Sequence, residues 1–119
     1  MKLVAVEGMT LDFGDTTVLD ESVTLGPASL NVYVDGKGVY SGQLAIAVVG
    51  AQKGDYTGGT GGGVFLPSAQ NVSADGQKVL LEGDEATFNV VGVNAELVPV
   101  TWSVTAKISS SGQTSMKAD

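Results

Sequence analysis

The sequence predicts an all-β chain, one small domain of short repeated β-hairpins, with a β-sandwich as the alternative arrangement of the same strands. Three observations carry that expectation. Short runs of period-two alternation recur between Gly and Asp turns. No segment joins a helical period to helix caps. One segment occurs twice.

The two copies are Pro27-Ala28-Ser29-Leu30-Asn31-Val32-Tyr33-Val34-Asp35-Gly36-Lys37-Gly38-Val39 and Pro67-Ser68-Ala69-Gln70-Asn71-Val72-Ser73-Ala74-Asp75-Gly76-Gln77-Lys78-Val79. Their offset is constant, 71 − 31 = 40 and 76 − 36 = 40, and six of 13 aligned positions are identical. A repeat of this kind marks one supersecondary unit used again. Pro fixes φ at the entry, a short strand follows, and Asp35-Gly36 or Asp75-Gly76 supplies the pair favoured in a two-residue hairpin turn. Chance sharing of turn chemistry is the plainer reading, but the matched Pro and Asn-Val lie outside the turn. The domain therefore spans 1–119, with repeats at about 27–49 and 67–91.

In chain order, residues 3–6 read as a first strand, and residues 9–23 as short pieces among acidic turns. Asp12, Asp15, Asp20 and Glu21 read as turn and surface residues. Leu30, Val32 and Val34 alternate with polar neighbours, as a strand with one buried face does. Residues 44–49 are apolar throughout, consistent with a central strand covered on both sides. Residues 50–63 look loosest, and Thr57-Gly58-Gly59-Thr60-Gly61-Gly62-Gly63 reads as a flexible Gly-rich loop joining the two repeats. A phosphate cradle there would need Gly-Lys-Ser/Thr opening a helix, and Val64-Phe65-Leu66-Pro67 follows instead. Ala86, Phe88 and Val90 mark another half-buried strand. Trp102, Val104, Ala106 and Ile108 mark the longest one, with Trp102 read as core rather than as a ligand platform. A last strand is expected over residues 113–117. Gly76, held at positive φ by its turn, is expected to tolerate valine less well than Gly61.

Composition excludes several functions. Net charge is −7, with 13 acidic residues, six lysines and no arginine, which disfavours nucleic acid and anionic membrane surfaces. No His and no Cys means no Ser-His-Asp triad, no Cys-His pair and no disulfide. No run of 18 apolar residues is present, and the opening Met1-Lys2-Leu3-Val4-Ala5-Val6-Glu7 is too short before its acid to read as a signal peptide. Glu82, Asp84 and Glu85 form the densest acidic cluster. Carboxylates can hold hard cations, but the spacing of a calcium loop is missing, and a solvated turn is the plainer reading. Asn71-Val72-Ser73 fits a glycosylation acceptor, a pattern short enough to arise by chance.

The repeats, with Val34-Asp35-Gly36-Lys37-Gly38-Val39 and the run from Ala74 through Gly83-Asp84-Glu85, resemble the PAAR-like proteins that cap the spikes of contractile injection systems: phage tails, type VI secretion systems and their extracellular relatives. The resemblance covers about residues 27–92. It implies a pseudo-threefold cone and a structural spike-tip role as a virion or particle component. The partner would be a trimeric spike protein, and the membrane would be met only transiently, as the sharpened tip penetrates. It also implies assembly in the bacterial cytoplasm, then a place at the tip of an extracellular or virion spike. Family members commonly hold a metal near the apex with His and Cys ligands, which this chain lacks. A third repeat is implied but not legible; residues after Val98 are expected to supply it in degenerate form.

The expected function is thus structural rather than enzymatic, with no cofactor, nucleic acid or small-molecule substrate. An adhesion module or a capsid decoration protein is the alternative. The docking surface is expected within residues 43–49, 61–67 and 98–109, which are poor in acids, with Leu44, Ile46, Val48, Val64, Phe65, Trp102 and Val104 as contacts. Without imidazole or thiolate only weak oxygen sites remain. Metal analysis of purified protein is therefore expected to find no stoichiometric zinc or iron.

Overall fold

Each Asp-Gly pair closes a tight hairpin, and the two hairpins have the same backbone. Asp35 and Gly36 have φ of 53° and 77°, Asp75 and Gly76 of 54° and 79°. Positive φ at both central residues is the type I′ geometry that matches strand twist. In the computed structural model, which describes residues 2–118 apart from the side chain of Asp20, these hairpins are two parts of a larger symmetric plan. Met1, Asp119 and that side chain lie outside the described residues, and so do the expectations placed on them.

The strands in chain order are β1 (Lys2–Leu3), β2 (Thr10–Asp12), β3 (Val23–Leu25), β4 (Tyr33–Val34), β5 (Lys37–Gly38), β6 (Leu44–Lys53), β7 (Tyr56–Phe65), β8 (Ser73–Ala74), β9 (Gln77–Lys78), β10 (Glu85–Val93), β11 (Pro99–Ser110) and β12 (Lys117–Ala118). Among the described residues there is no α-helix, only a 3-10 turn at Asp20–Ser22. The fold is all-β, as expected. Its body is one curled antiparallel sheet in the order β2-β11-β10-β7-β6-β3, and three two-stranded ladders, β1-β12, β4-β5 and β8-β9, form a head. The molecule is elongated, 48 × 24 × 20 Å. A sandwich of two packed sheets is not what forms.

The sheet order divides into three neighbouring pairs. β3 leads into the hairpin β4-β5 and β6 leaves it; β7 leads into β8-β9 and β10 leaves it; β11 leads into β12, which pairs with β1, and β2 leaves β1. The third unit is therefore split between the two ends of the chain. Its register repeats the others: Tyr33↔Gly38, Ser73↔Lys78 and Lys117↔Leu3. So does its next backbone bond, from the N–H of Val39 to Val32 O, of Val79 to Val72 O and of Val4 to Met116 O, at 3.0, 3.1 and 3.0 Å. The expectation of a degenerate copy after Val98 thus located only half of the unit. Residues 111–118 supply its entry and residues 2–9 its exit.

At the neck the three units lock together. The Tyr40 N–H donates to Ala5 O, the Ala5 N–H to Leu80 O, and the Leu80 N–H to Tyr40 O, at 3.0, 2.8 and 3.0 Å. These three residues occupy the same place in each unit, and the bonds close a ring. One turn of chain further on, Glu7, Gly42 and Glu82 donate their N–H groups to Gly38 O, Lys78 O and Leu3 O. The head core inside this frame is built from equivalent positions: Val4, Val39 and Val79; Val34, Ala74 and Ala118; Val32, Val72 and Met116. The larger core lies below, on the inner face of the sheet, and holds Leu44, Ile46, Val48, Phe65, Leu80, Phe88, Val90, Trp102, Val104 and Ile108.

Several expectations are corrected. The Gly-rich segment is not a flexible loop but most of strand β7, paired to β6 and β10. Its glycines face surfaces too close for a side chain. A Cβ on Gly61 would lie 2.2 Å from Asn89 O, and one on Gly59 would lie 2.6 Å from the Trp102 ring. Residues 44–49 are covered on one side only: Leu44, Ile46 and Val48 are buried, while Ala45, Ala47 and Val49 are exposed on the outer wall. Leu30 does not join Val34 in the core, being 82% exposed. Residues 113–116 bend rather than extend, so the last strand is Lys117–Ala118.

The relative tolerance of two glycines is reversed accordingly. A side chain on Gly76 meets open space, and its cost is left-handed strain of about 1–2 kcal/mol. Valine at Gly61 drives into the neighbouring backbone of a paired strand. In urea unfolding, Gly61→Val is expected to lose more stability than Gly76→Val; an equal or larger loss at Gly76 would contradict this packing.

Candidate functional site

Six of the seven side chains expected at a partner surface point the other way. Leu44, Ile46, Val48, Phe65, Trp102 and Val104 are buried on the concave face of the sheet. Period-two alternation puts them there and leaves Val64 alone of the set on the outer wall. The strands carrying them were identified, but the choice of face was inverted: the most apolar side chains fill the core of a small domain before they serve a partner. What they leave outside is an uncharged wall in which Ala45, Val64, Thr87 and Thr105 follow one another across β6, β7, β10 and β11.

Gly83-Asp84 is a buried staple rather than a solvated turn. Gly83 sits at φ 97°. The Gly83 N–H donates to Ile108 O at 2.8 Å, and the Ile108 N–H donates to Asp84 O at 3.0 Å. The Asp84 carboxylate accepts from the Leu81 N–H at 2.9 Å, from the Ser68 N–H at 3.3 Å and from the Ser68 hydroxyl. It thus ties the exit of one unit to that unit's own entry and to β11. Glu82 and Glu85 do not join it. Glu82 accepts from the Ser111 N–H at 3.2 Å, and Glu85 is exposed opposite Lys107. Among the described residues no three acids gather to hold a metal.

At the apex, side-chain bonds tie both Asp-Gly turns to neighbouring units. Asn31 donates from Nδ2 to Asp75 Oδ1 at 3.1 Å, and the Ser115 hydroxyl bonds Asp35 Oδ2 at 2.9 Å. Asn31 and Ser115 are equivalent positions, and so are the two aspartates, so each turn is held by the neighbouring unit. Hydrogen bonding from Ser29 and Asn31 keeps the Asp75 carboxyl below its usual range. Ser29 Oγ also accepts the N–H groups of Asn31 and Val32, and at the same place in the split unit Gln113 Oε1 accepts those of Ser115 and Met116. At the neck, burial first and the Glu7 charge second raise the Tyr40 hydroxyl above its usual range.

The opposite end, the base, is formed by the three connections between the pairs: residues 54–55 join β6 to β7, 94–98 join β10 to β11, and 13–22 cross from β2 to β3. The crossing is fixed by reciprocal bonds between Thr17 and Gln52, at 2.7 and 3.0 Å. Trp102 is buried in the sheet core close to this crossing. Its ring lies 5.4 Å from that of Tyr56, and its Nε1–H donates to Thr16 Oγ1 at 3.3 Å. Each connection, or the residue bounding it, exposes a large apolar side chain: Leu19 at 60%, Tyr56 at 36% and Leu97 at 78%. The same connections and their bounding residues carry the acids Asp15, Glu21, Asp55 and Glu96 against the lysine Lys53. These connections are far apart in sequence and lie outside the acid-poor segments in which a docking surface is expected. The signal that could have marked it is the pair of isolated leucines, Leu19 and Leu97, set in acidic turns.

Asp84→Ala would leave the Leu81 N–H and the Ser68 hydroxyl without their acceptor, a loss of about 1–3 kcal/mol. Asp84→Asn keeps one oxygen and is expected to lose less. Urea unfolding of the two variants measures the difference, and wild-type stability in Asp84→Ala would contradict the staple.

Comparison with protein-family models, curated proteins and solved structures finds no match to this chain.

Proposed function

We propose that the protein is a structural cap at the tip of a threefold-symmetric spike in a contractile injection particle. One observation carries the reading: the neck ring in which Ala5, Leu80 and Tyr40 bond one another head to tail, with one strand pair descending from each. A monomer can sit on the axis of a trimer, and meet all three subunits, when its own frame has threefold character. Closed symmetry of the larger partner then fixes one cap per trimer.

The base is the end that docks, and the apex points away. At the apex, Asn31, Asp75, Ser115 and Asp35 bond one another, and an exposed apolar pair, Leu30 and Tyr33, occurs in one unit alone. At the base, each connection or the residue bounding it exposes a large apolar side chain, and acids lie in the same segments. Interfaces place such apolar anchors at their centre and leave charge at the margin, so the partner surface would carry apolar pockets and basic groups. The apex, with both Asp-Gly turns stapled to a neighbouring unit, suits a part that leads through a membrane.

The test is to mix the protein with the trimeric spike protein encoded beside it and measure mass in solution. One cap per trimer is expected. Failure to associate sinks the reading. Three copies per trimer would instead favour lateral contact through the uncharged wall, as in a decoration or adhesion protein.

A further inference from the structure

We propose that Leu97 is the anchor with which the base engages the spike, filling one of three identical apolar pockets that the trimer presents. The inference rests on the docking reading above and adds to it the residue that carries the contact. Leu97 holds φ at 62°, the left-handed region that side chains other than Gly, Asn and Asp rarely enter. It is held there firmly. The Leu97 N–H donates to Asn94 O at 3.0 Å, the Asn94 N–H donates to Val98 O at 3.0 Å, and Asn94 Oδ1 accepts the N–H groups of Glu96 and Val98 at 2.9 and 3.1 Å. Such a turn is best served by glycine or asparagine. Leucine strains it, and with 78% of the side chain exposed the packing returned within the chain is small. Strained residues that the fold itself does not need concentrate at functional positions.

The geometry suits an anchor. A leucine whose backbone is already fixed by its turn has less freedom to lose on association than one on a loose loop. Glu96 is its chain neighbour, and the other connections carry Asp55 and Asp15, so the base offers apolar points among acids, complementary to an apolar pocket with a basic rim. Three like pockets meet three unlike connections, so one pocket receives Leu97. The other two face Leu19 and Tyr56, which are less exposed and contribute less.

Leu97→Gly and Leu97→Asn separate this role from a structural one, because both relieve the strain and remove the anchor. The measurements are thermal unfolding and calorimetric titration with the trimeric spike protein encoded beside this chain. Expected are melting temperatures equal to or above wild type, together with binding weakened about tenfold or more, and a smaller loss for Leu19→Asn. A lower melting temperature in both variants would make Leu97 a structural residue and overturn the proposal. So would wild-type affinity in both, while binding by the wild-type protein left the docking reading standing. Absence of any binding by wild type overturns the docking reading and the anchor with it.

Discussion

Three backbone hydrogen bonds, joining Ala5, Leu80 and Tyr40 in a closed ring, set the terms for the rest of the molecule. Backbone groups buried at a neck must find partners, and here each unit satisfies the next. The arrangement fixes three chain segments at one level. Side chains from equivalent positions then pack above them in the head, and the three strand pairs below lie side by side in a single curled sheet. The residues in the ring differ in size, and their asymmetry is useful: Tyr40 and Leu80 fill the top of the sheet core, and Ala5 leaves room for them.

Curling a six-stranded sheet around so narrow a core demands close approach of its middle strands. The run of glycine in β7 answers that demand. With no Cβ, Gly61 and Gly62 let β7 sit against β6 and β10, and Gly59 makes room for the Trp102 ring. The same tryptophan closes the core toward the base, where the connections expose what the interior has no room for. The inner face of the strands thus carries the core, and large apolar side chains at the base, Leu19, Tyr56 and Leu97, stay exposed.

Strand identity was largely legible in the sequence, because alternation of the kind seen at Ala86-Phe88-Val90 and Trp102-Val104-Ala106-Ile108 has one physical cause. The two Asp-Gly turns were legible for the same reason: few other pairs fit that backbone. The Gly-rich strand was not, since absence of side chains reads as absence of structure unless the neighbours that require it are known. The third unit was obscured by its division between the chain ends. Val4-Ala5-Val6-Glu7-Gly8 does match Val79-Leu80-Leu81-Glu82-Gly83 at the valine, the glutamate and the glycine, but the strand preceding it in space follows it by more than a hundred residues. The base was illegible because Leu19 and Leu97 carry no period, and only the fold brings their connections to one end.

The split unit also governs the order in which the molecule can form. β6 with β7, and β10 with β11, are long hairpins whose strands are near in sequence and can pair early. The bond from the Val4 N–H to Met116 O spans 116 − 4 = 112 residues. During synthesis the strand carrying Val4 emerges long before the segment carrying Met116. Val4 and Val6, both fully buried in the finished head, stay uncovered until then. Closure of the head is therefore an event of long range, and a finished apex reports that the sheet strands between its two halves have been made.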